Sequence, residues 1–185
     1  MTSPRTYTLD ELVFFTEQGM DRLPMLRAMQ ALGIDEDASF ALGSSDSTRS
    51  KDVVRLYWDY GGLYGGQLEQ YIDSVLAGRQ EESAPGASRY SLGQLAWIHA
   101  AGLFRDDMVR GMLAMGIAED VATQLAFTAA RSRTVLGTRA ELGQHHSEVF
   151  ERYLGACLAS YSHGWPHRSA VADSIADDEA VHPAP

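Results

Sequence analysis

Cysteine is nearly absent from this chain: only Cys157 occurs in the 185 residues, so no disulfide can form within it. A lone thiol is typical of proteins from reducing compartments. No stretch approaches 18 consecutive apolar residues, and the N-terminus has no basic region followed by an apolar one. We therefore expect neither a membrane span nor a signal peptide, and a cytoplasmic location.

Common motifs of catalysis and nucleotide binding are missing as well. The sequence contains no P-loop, dinucleotide fingerprint, nucleophile elbow or H-E-x-x-H motif. Its formal net charge of −10 repels phosphate backbones, so nucleic acid is not expected as the main partner. We predict a non-enzymatic protein with no catalytic residues, no metal and no cofactor.

The histidines and Cys157 offer the nearest approach to site chemistry. His145 and Glu148 are predicted to share one face of a helix, as metal ligands would require, but a metal site also needs ligands from another helix. His99 and scattered carboxylates are the only candidates for that second set, so a solvated polar face is the simpler interpretation. Cys157 lies among apolar residues, which favours a core position and raises the pKa of its thiol.

What the chain does contain is an internal repeat. Residues 6–37 align with residues 89–120 at a constant offset of 83 without a gap, and 13 of the 32 positions are identical. Average residue usage would give about two identities. We interpret this as a tandem duplication of a helix-turn-helix-like unit. No alternating strand pattern is found, so the predicted fold class is all-α.

Both segments carry the same helix signals. Thr8 with Glu11, and Ser91 with Gln94, have the spacing of a capping box, and a tyrosine precedes each cap as in a hydrophobic staple. Methionines and leucines then repeat at the spacing of one helical face. Four glycines stand where left-handed residues would end the helices: Gly19, Gly33, Gly102 and Gly116.

The predicted domain organisation follows from the repeat. We place helical repeat 1 at residues 1–77, a polar linker with Pro85 at 78–88, helical repeat 2 at 89–161 and a disordered acidic tail at 162–185. Within repeat 1, Ser50 is expected to cap a helix to about Tyr60, and glycines at 61–66 separate it from a second helix. Repeat 2 is expected to form longer helices, from Glu119 to about Leu136 and from Thr138 to about Tyr161.

Aromatic residues are concentrated in one part of repeat 1, within 15 residues. They are Tyr57, Trp58, Tyr60, Tyr64 and Tyr71. Tyrosine and tryptophan bury a large area with few rotors and are enriched at interfaces and in ligand pockets. Packing around a glycine hinge is the simpler explanation, and a surface for a partner or small molecule is the functional one. In repeat 2 the corresponding stretch is the polar segment 138–146.

The opening of the chain resembles a known regulatory domain. The string from Tyr7 to Leu12, followed by Arg27 to Asp37, is similar to the helical domain that precedes the catalytic domain of some actinobacterial class III adenylate cyclases. There the next helix begins near an acidic residue, as the segment 52–56 does here. No cyclase catalytic domain is expected after residue 161, so this resemblance implies a stand-alone regulatory module.

The same opening resembles MerR-type winged helix-turn-helix regulators, whose first helix reads Y-T-I-x-E-L. That resemblance implies a DNA-binding transcriptional regulator. However, Asp21 and Pro24 lie where phosphate and base contacts are expected, and the basic recognition helix is missing.

Three functional classes therefore stay open. The first is a non-enzymatic all-α regulatory module that binds another protein or forms a homodimer. The second is a DNA-binding regulator of helix-turn-helix descent, and the third is a small-molecule-binding protein or helical enzyme that uses the aromatic cluster. We expect the partner or ligand surface to include Tyr57, Trp58, Tyr60, Tyr64 and Tyr71.

Overall fold

A computed structural model describes residues 3–142 and 145–159, and these form ten helices with no strand, which confirms the all-α prediction. The helices are α1 (Leu9–Gly19), α2 (Arg22–Ala31), α3 (Glu36–Ser44), α4 (Asp46–Arg49), α5 (Val53–Leu76), α6 (Leu92–Ala101), α7 (Arg105–Ala114), α8 (Glu119–Ser132), α9 (Val135–Leu142) and α10 (Ser147–Ala159). The tail predicted at 162–185 lies outside the described residues.

The chain divides into two compact units, Met1–Ala96 and Trp97–Pro185. In unit 1, α5 packs against α1, α3 and α4, and α2 packs against α3. In unit 2, α8 packs against α7 and α9, and α9 packs against α10. Each unit buries its own apolar core, which includes paired methionines on one helical face, Met25 with Met29 and Met108 with Met112.

Both predicted capping boxes are present. The Thr8 amide donates to Glu11 Oε2 at 2.9 Å, and the Glu11 amide donates to Thr8 Oγ1 at 3.1 Å. The Ser91 amide donates to Gln94 Oε1 at 2.8 Å, and the Gln94 amide donates to Ser91 Oγ at 3.1 Å. Each box satisfies two amides that a helix end leaves unpaired, so both helices begin where the sequence places them.

The predicted linker at residues 78–88 is held against the start of α1. The Ser83 hydroxyl donates to Glu11 Oε1 at 3.2 Å, and Arg79 lies over the Phe14 ring with 5.9 Å between the guanidinium carbon and the ring centroid. Just beyond the linker, Arg89 Nη2 is 3.1 Å from Glu11 Oε2. The Glu11 carboxylate therefore serves the helix cap and two connections to the following segment.

The four predicted helix-end glycines fall into two pairs with different structural reasons for the absence of a side chain. Gly33 and Gly116 have φ of 77° and 75°, the left-handed conformation that was predicted. The same prediction is wrong for Gly19 and Gly102, because neither has a positive φ. A Cβ at Gly19 would lie 2.7 Å from a Phe15 ring carbon, and one at Gly102 would lie 3.1 Å from the Ile98 carbonyl oxygen. At these two positions close packing, not backbone handedness, opposes a side chain, more strongly at Gly19 than at Gly102.

A buried tyrosine completes each of these helix ends. The Tyr71 hydroxyl donates to the Gly19 carbonyl at 2.7 Å, and the Tyr153 hydroxyl donates to the Gly102 carbonyl at 2.7 Å. Carbonyls at the end of a helix have no partner within the helix, so the tyrosines supply one across the core. Burial raises the pKa of both phenols, that of Tyr71 to about 12.

Cys157 occupies the core of unit 2, as predicted, and burial raises the pKa of its thiol to about 12. The thiol is therefore protonated at neutral pH and is a poor nucleophile.

Several helix boundaries differ from those predicted. Asp52, not Ser50, caps α5, because its carboxylate accepts from the Arg55 amide at 3.0 Å. From Glu119 onward the described residues form three helices instead of the two long ones predicted, since Arg133 adopts a left-handed φ of 55° that ends α8. His145 lies in a turn before α10, so the predicted helical pairing of His145 with Glu148 is wrong.

A first prediction concerns the two left-handed glycines. Replacing Gly33 or Gly116 by Ala should lower the free energy of unfolding by about 1 kcal/mol, because a Cβ is strained at that φ. The matched control is Gly155→Ala, in the middle of α10 with open space around its Cα. That change should raise stability by up to about 1 kcal/mol. Denaturant unfolding measures all three, and losses at all positions alike would contradict the assignment.

A second prediction concerns the two buried phenols. Tyr71→Phe and Tyr153→Phe should each destabilise by about 1–3 kcal/mol, because each leaves a helix-end carbonyl without its donor. Tyr60→Phe provides the control, since Tyr60 is only half-buried. It should change the free energy of unfolding by less than about 0.5 kcal/mol. Equal effects of all three substitutions would show that the hydrogen bonds contribute little.

Candidate functional site

The aromatic segment lies in the middle of α5, the longest helix in the described part of the chain. The sequence predicts two helices separated by glycines at 61–66, and the structure shows two helical segments within Val53–Leu76 that meet at a kink in that stretch. Only Tyr64 departs from helical geometry, with φ −129° and ψ 19°. The kink thus falls within the predicted hinge, at its tyrosine instead of at a glycine.

Tyr57 covers two of the four hinge glycines. A Cβ at Gly61 would lie 2.9 Å from the Tyr57 ring, and one at Gly65 would lie 3.1 Å from it. These glycines follow Tyr57 by four and eight residues, so they share its side of the helix. Their missing side chains leave room for the Tyr57 ring close to the backbone of its own helix.

The other two hinge glycines are bare. Around Gly62 and Gly66 no heavy atom of the described structure comes within 4 Å of an added Cβ. Two large apolar side chains lie beside this bare strip: Trp58 is 41% exposed and Leu63 is 75% exposed. On this side of the helix, the backbone at Gly62 and Gly66 is exposed to solvent next to the side chains of Trp58 and Leu63.

The structure separates the five predicted site residues into core and surface. Tyr71 belongs to the core: it is 3% exposed and meets the Phe15 ring edge-on, with centroids 5.6 Å apart. Tyr57, Tyr60 and Tyr64 are half-buried, and Trp58 is the most exposed. The surface prediction thus stays a prediction for four of the five positions, and Tyr71 has a structural role.

Leu63 was missed by the sequence reasoning. It follows Leu56 by seven residues, a spacing that places both on one face of a straight helix. Leu56 is fully buried, so the periodicity favours burial of Leu63 as well, yet Leu63 is largely exposed. No local signal distinguishes the two, because the difference depends on which helices cover each half of α5.

A polar network fixes the second half of α5 to the start of the chain. Asp73 accepts from the Tyr7 hydroxyl at 3.0 Å and lies 3.1 Å from Arg5 Nη1. Burial raises the pKa of Tyr7, and the neighbouring Asp73 carboxylate adds to that effect. Burial also raises the pKa of Glu69 on the same helix, against the opposing effect of Arg5.

Among residues 3–142 and 145–159 there is no group of three histidine, cysteine or carboxylate side chains that could hold a metal ion. In the same ranges no helix has both the length and the apolar character needed to cross a bilayer.

Comparison of the chain with protein-family models, curated proteins and solved structures gave no match. The resemblances to cyclase regulatory domains and to MerR-type regulators therefore stay predictions from sequence.

A third prediction follows from Glu69. Its pKa is higher in the folded than in the unfolded state, so stability falls as pH rises from the unfolded value of about 4.3 through the folded one. Glu69→Gln removes this titration and should raise the melting temperature at pH 7. Near pH 4, where Glu69 is mostly protonated, the two proteins should melt together. The same difference at both pH values would exclude burial of the charge as the cause.

Proposed function

We propose that this chain is a non-enzymatic all-α regulatory module that associates with a second copy of itself or with a helix of another protein. We propose that the binding surface is the middle of α5, where Trp58 and Leu63 flank the bare glycines Gly62 and Gly66. The observation that carries the proposal is this pairing of exposed apolar side chains with uncovered helical backbone.

The glycines support a close helix contact. A glycine inside a helix is about 1 kcal/mol less favourable than alanine, and Gly62 and Gly66 each incur that cost. Nothing within the described structure requires the missing side chains, in contrast to Gly61 and Gly65 under the Tyr57 ring. Bare backbone is useful where another backbone approaches closely. An intermolecular helix is therefore the occupant that accounts for both positions.

The flanking side chains supply the apolar contact that such an interface needs. Trp58 and Leu63 are already partly ordered by the helix, so binding costs little further backbone entropy. Tryptophan is among the residues that most often dominate binding energy at interfaces. The half-buried Tyr60 and Tyr64 lie on the same kinked segment and can extend the surface.

We also propose that the two halves arose by tandem duplication and later divided their roles. The matched capping boxes, the positive-φ pair Gly33 and Gly116, and the two tyrosine contacts to helix-end glycines support a common origin. Only the first half has the aromatic, glycine-containing segment. Its counterpart is polar, which favours binding by the first half.

The DNA-binding alternative has less support. The net charge is −10, the exposed Asp21 directly precedes α2, and Pro24 lies in the first turn of that helix. Neither feature suits a helix that enters a groove lined with phosphates. The small-molecule alternative is supported by a different part of the molecule, a cavity in unit 2.

A fourth prediction tests self-association by sedimentation across a range of protein concentrations. Trp58→Ala should weaken the dimer about 30-fold, the effect of losing a central interface tryptophan. Gly66→Ala should weaken it as well while raising the melting temperature, because the helix gains stability as the close contact is lost. Phe40→Ala is the matched control, since Phe40 is a 61% exposed aromatic on α3.

Two outcomes would contradict self-association through this surface. One is a wild-type protein that stays monomeric at every concentration. The other is equal weakening by Trp58→Ala and Phe40→Ala, which would indicate unspecific apolar contact instead of a defined surface on α5.

A further inference from the structure

Unit 2 contains a cavity of about 470 Å³, a size typical of small-molecule sites. Three helices contribute to it: α6, the start of α7, and α8 with the residue that ends it. Its lining residues are His99, Leu103, Phe104, Arg105, Ala130 and Arg133. We propose that this cavity binds a small organic anion, a carboxylate or a phosphate attached to an apolar group.

The charge of the lining residues favours an anionic ligand. Arg105 and Arg133 both line the cavity, and in the described part of the chain neither forms an ion pair. None of the described lining residues is acidic, and Asp106 lines a neighbouring cavity instead. Two unpaired guanidinium groups in a concave site suit a carboxylate or phosphate, which each can bind through two hydrogen bonds.

His99 adds an unmet hydrogen-bonding group. Its ring lines the cavity, and Nδ1 is enclosed without a hydrogen-bond partner among the described residues. An enclosed polar nitrogen without a partner is rare in folded proteins and is commonly explained by an absent ligand or water. A polar group of the ligand is the partner that we propose for this imidazole.

The backbone at Arg133 is the second unusual feature. Arg133 ends α8 with φ 55°, a conformation that glycine or asparagine adopts far more readily than arginine. Helix termination alone does not require an arginine side chain there. A role for the guanidinium at the cavity accounts for this residue in an unfavourable conformation.

The conformation of Arg105, the other arginine of the cavity, is restricted by its neighbours. Arg105 lies over the Phe127 ring, with 5.9 Å between the guanidinium carbon and the ring centroid, which restricts its side chain. Arg105 is the first residue of α7, whose N-terminus has no side-chain cap. Leu103 and Phe104 supply the apolar wall for the rest of the ligand.

The test is an NMR titration at pH 7 of the full chain with benzoate and, separately, with phenyl phosphate. The readout is the His99 ring resonance, which should shift saturably with a dissociation constant of about 1 mM or tighter for at least one of the two. The arm that binds more tightly distinguishes carboxylate from phosphate as the preferred group. Benzyl alcohol, which is neutral, should cause no saturable shift.

Two variants and one control assign the charges. Arg133→Gly suits the backbone conformation, so it should stay folded with an unchanged or higher melting temperature, and it should weaken binding about tenfold or more. Arg105→Gln should weaken binding similarly. Arg110→Gln removes the same charge from α7 at a residue that does not line this cavity and that pairs with Asp107 at 3.3 Å. This control should leave binding within about twofold of the wild type.

The proposal fails if neither anion gives a saturable shift of His99 below about 10 mM, well beyond the expected affinity. It also fails if Arg110→Gln weakens binding as much as Arg133→Gly, because the attraction would then come from overall charge. Equal binding of benzyl alcohol would show an apolar cavity without anion selectivity.

Discussion

In each unit a helix end depends on one hydrogen bond between a buried phenol and a glycine carbonyl. The Tyr71 hydroxyl reaches Gly19, and the Tyr153 hydroxyl reaches Gly102. The glycine permits the close approach of the surrounding side chains, and the phenol satisfies the carbonyl that the helix leaves open. Each helix end therefore needs both a glycine, which leaves space for its neighbours, and a tyrosine, which donates a hydrogen bond to the glycine carbonyl.

Helix α5 shows that one residue type can have opposite uses within six positions. Gly61 and Gly65 are covered by the Tyr57 ring, so they contribute to the packing of the helix on itself. Gly62 and Gly66 are open to solvent and weaken the helix without any internal gain. Only the second pair is available to another molecule. The same helix thereby serves the core through Tyr71 and exposes a surface through Trp58.

The features predictable from sequence are those determined by residues three or four positions apart. Capping boxes at Thr8 and Ser91 and the left-handed Gly33 and Gly116 depend on local chemistry, and the structure contains them. The packing reason for Gly19 and the burial of Tyr71 depend on which helices meet, and periodicity carries no such information. The cavity in unit 2 was missed for the same reason, because it gathers residues up to 34 positions apart, from His99 to Arg133.

The backbone pairing of Tyr7 with Tyr90 has a topological consequence. Each amide donates to the other residue's carbonyl at 2.8 Å, so the chain enters and leaves the segment 7–90 at one point. Adjacent chain ends are the condition under which a folded segment tolerates circular permutation or insertion into a loop of a host protein. The two ends of the segment 7–90 are thus adjacent and are joined by the antiparallel bridge.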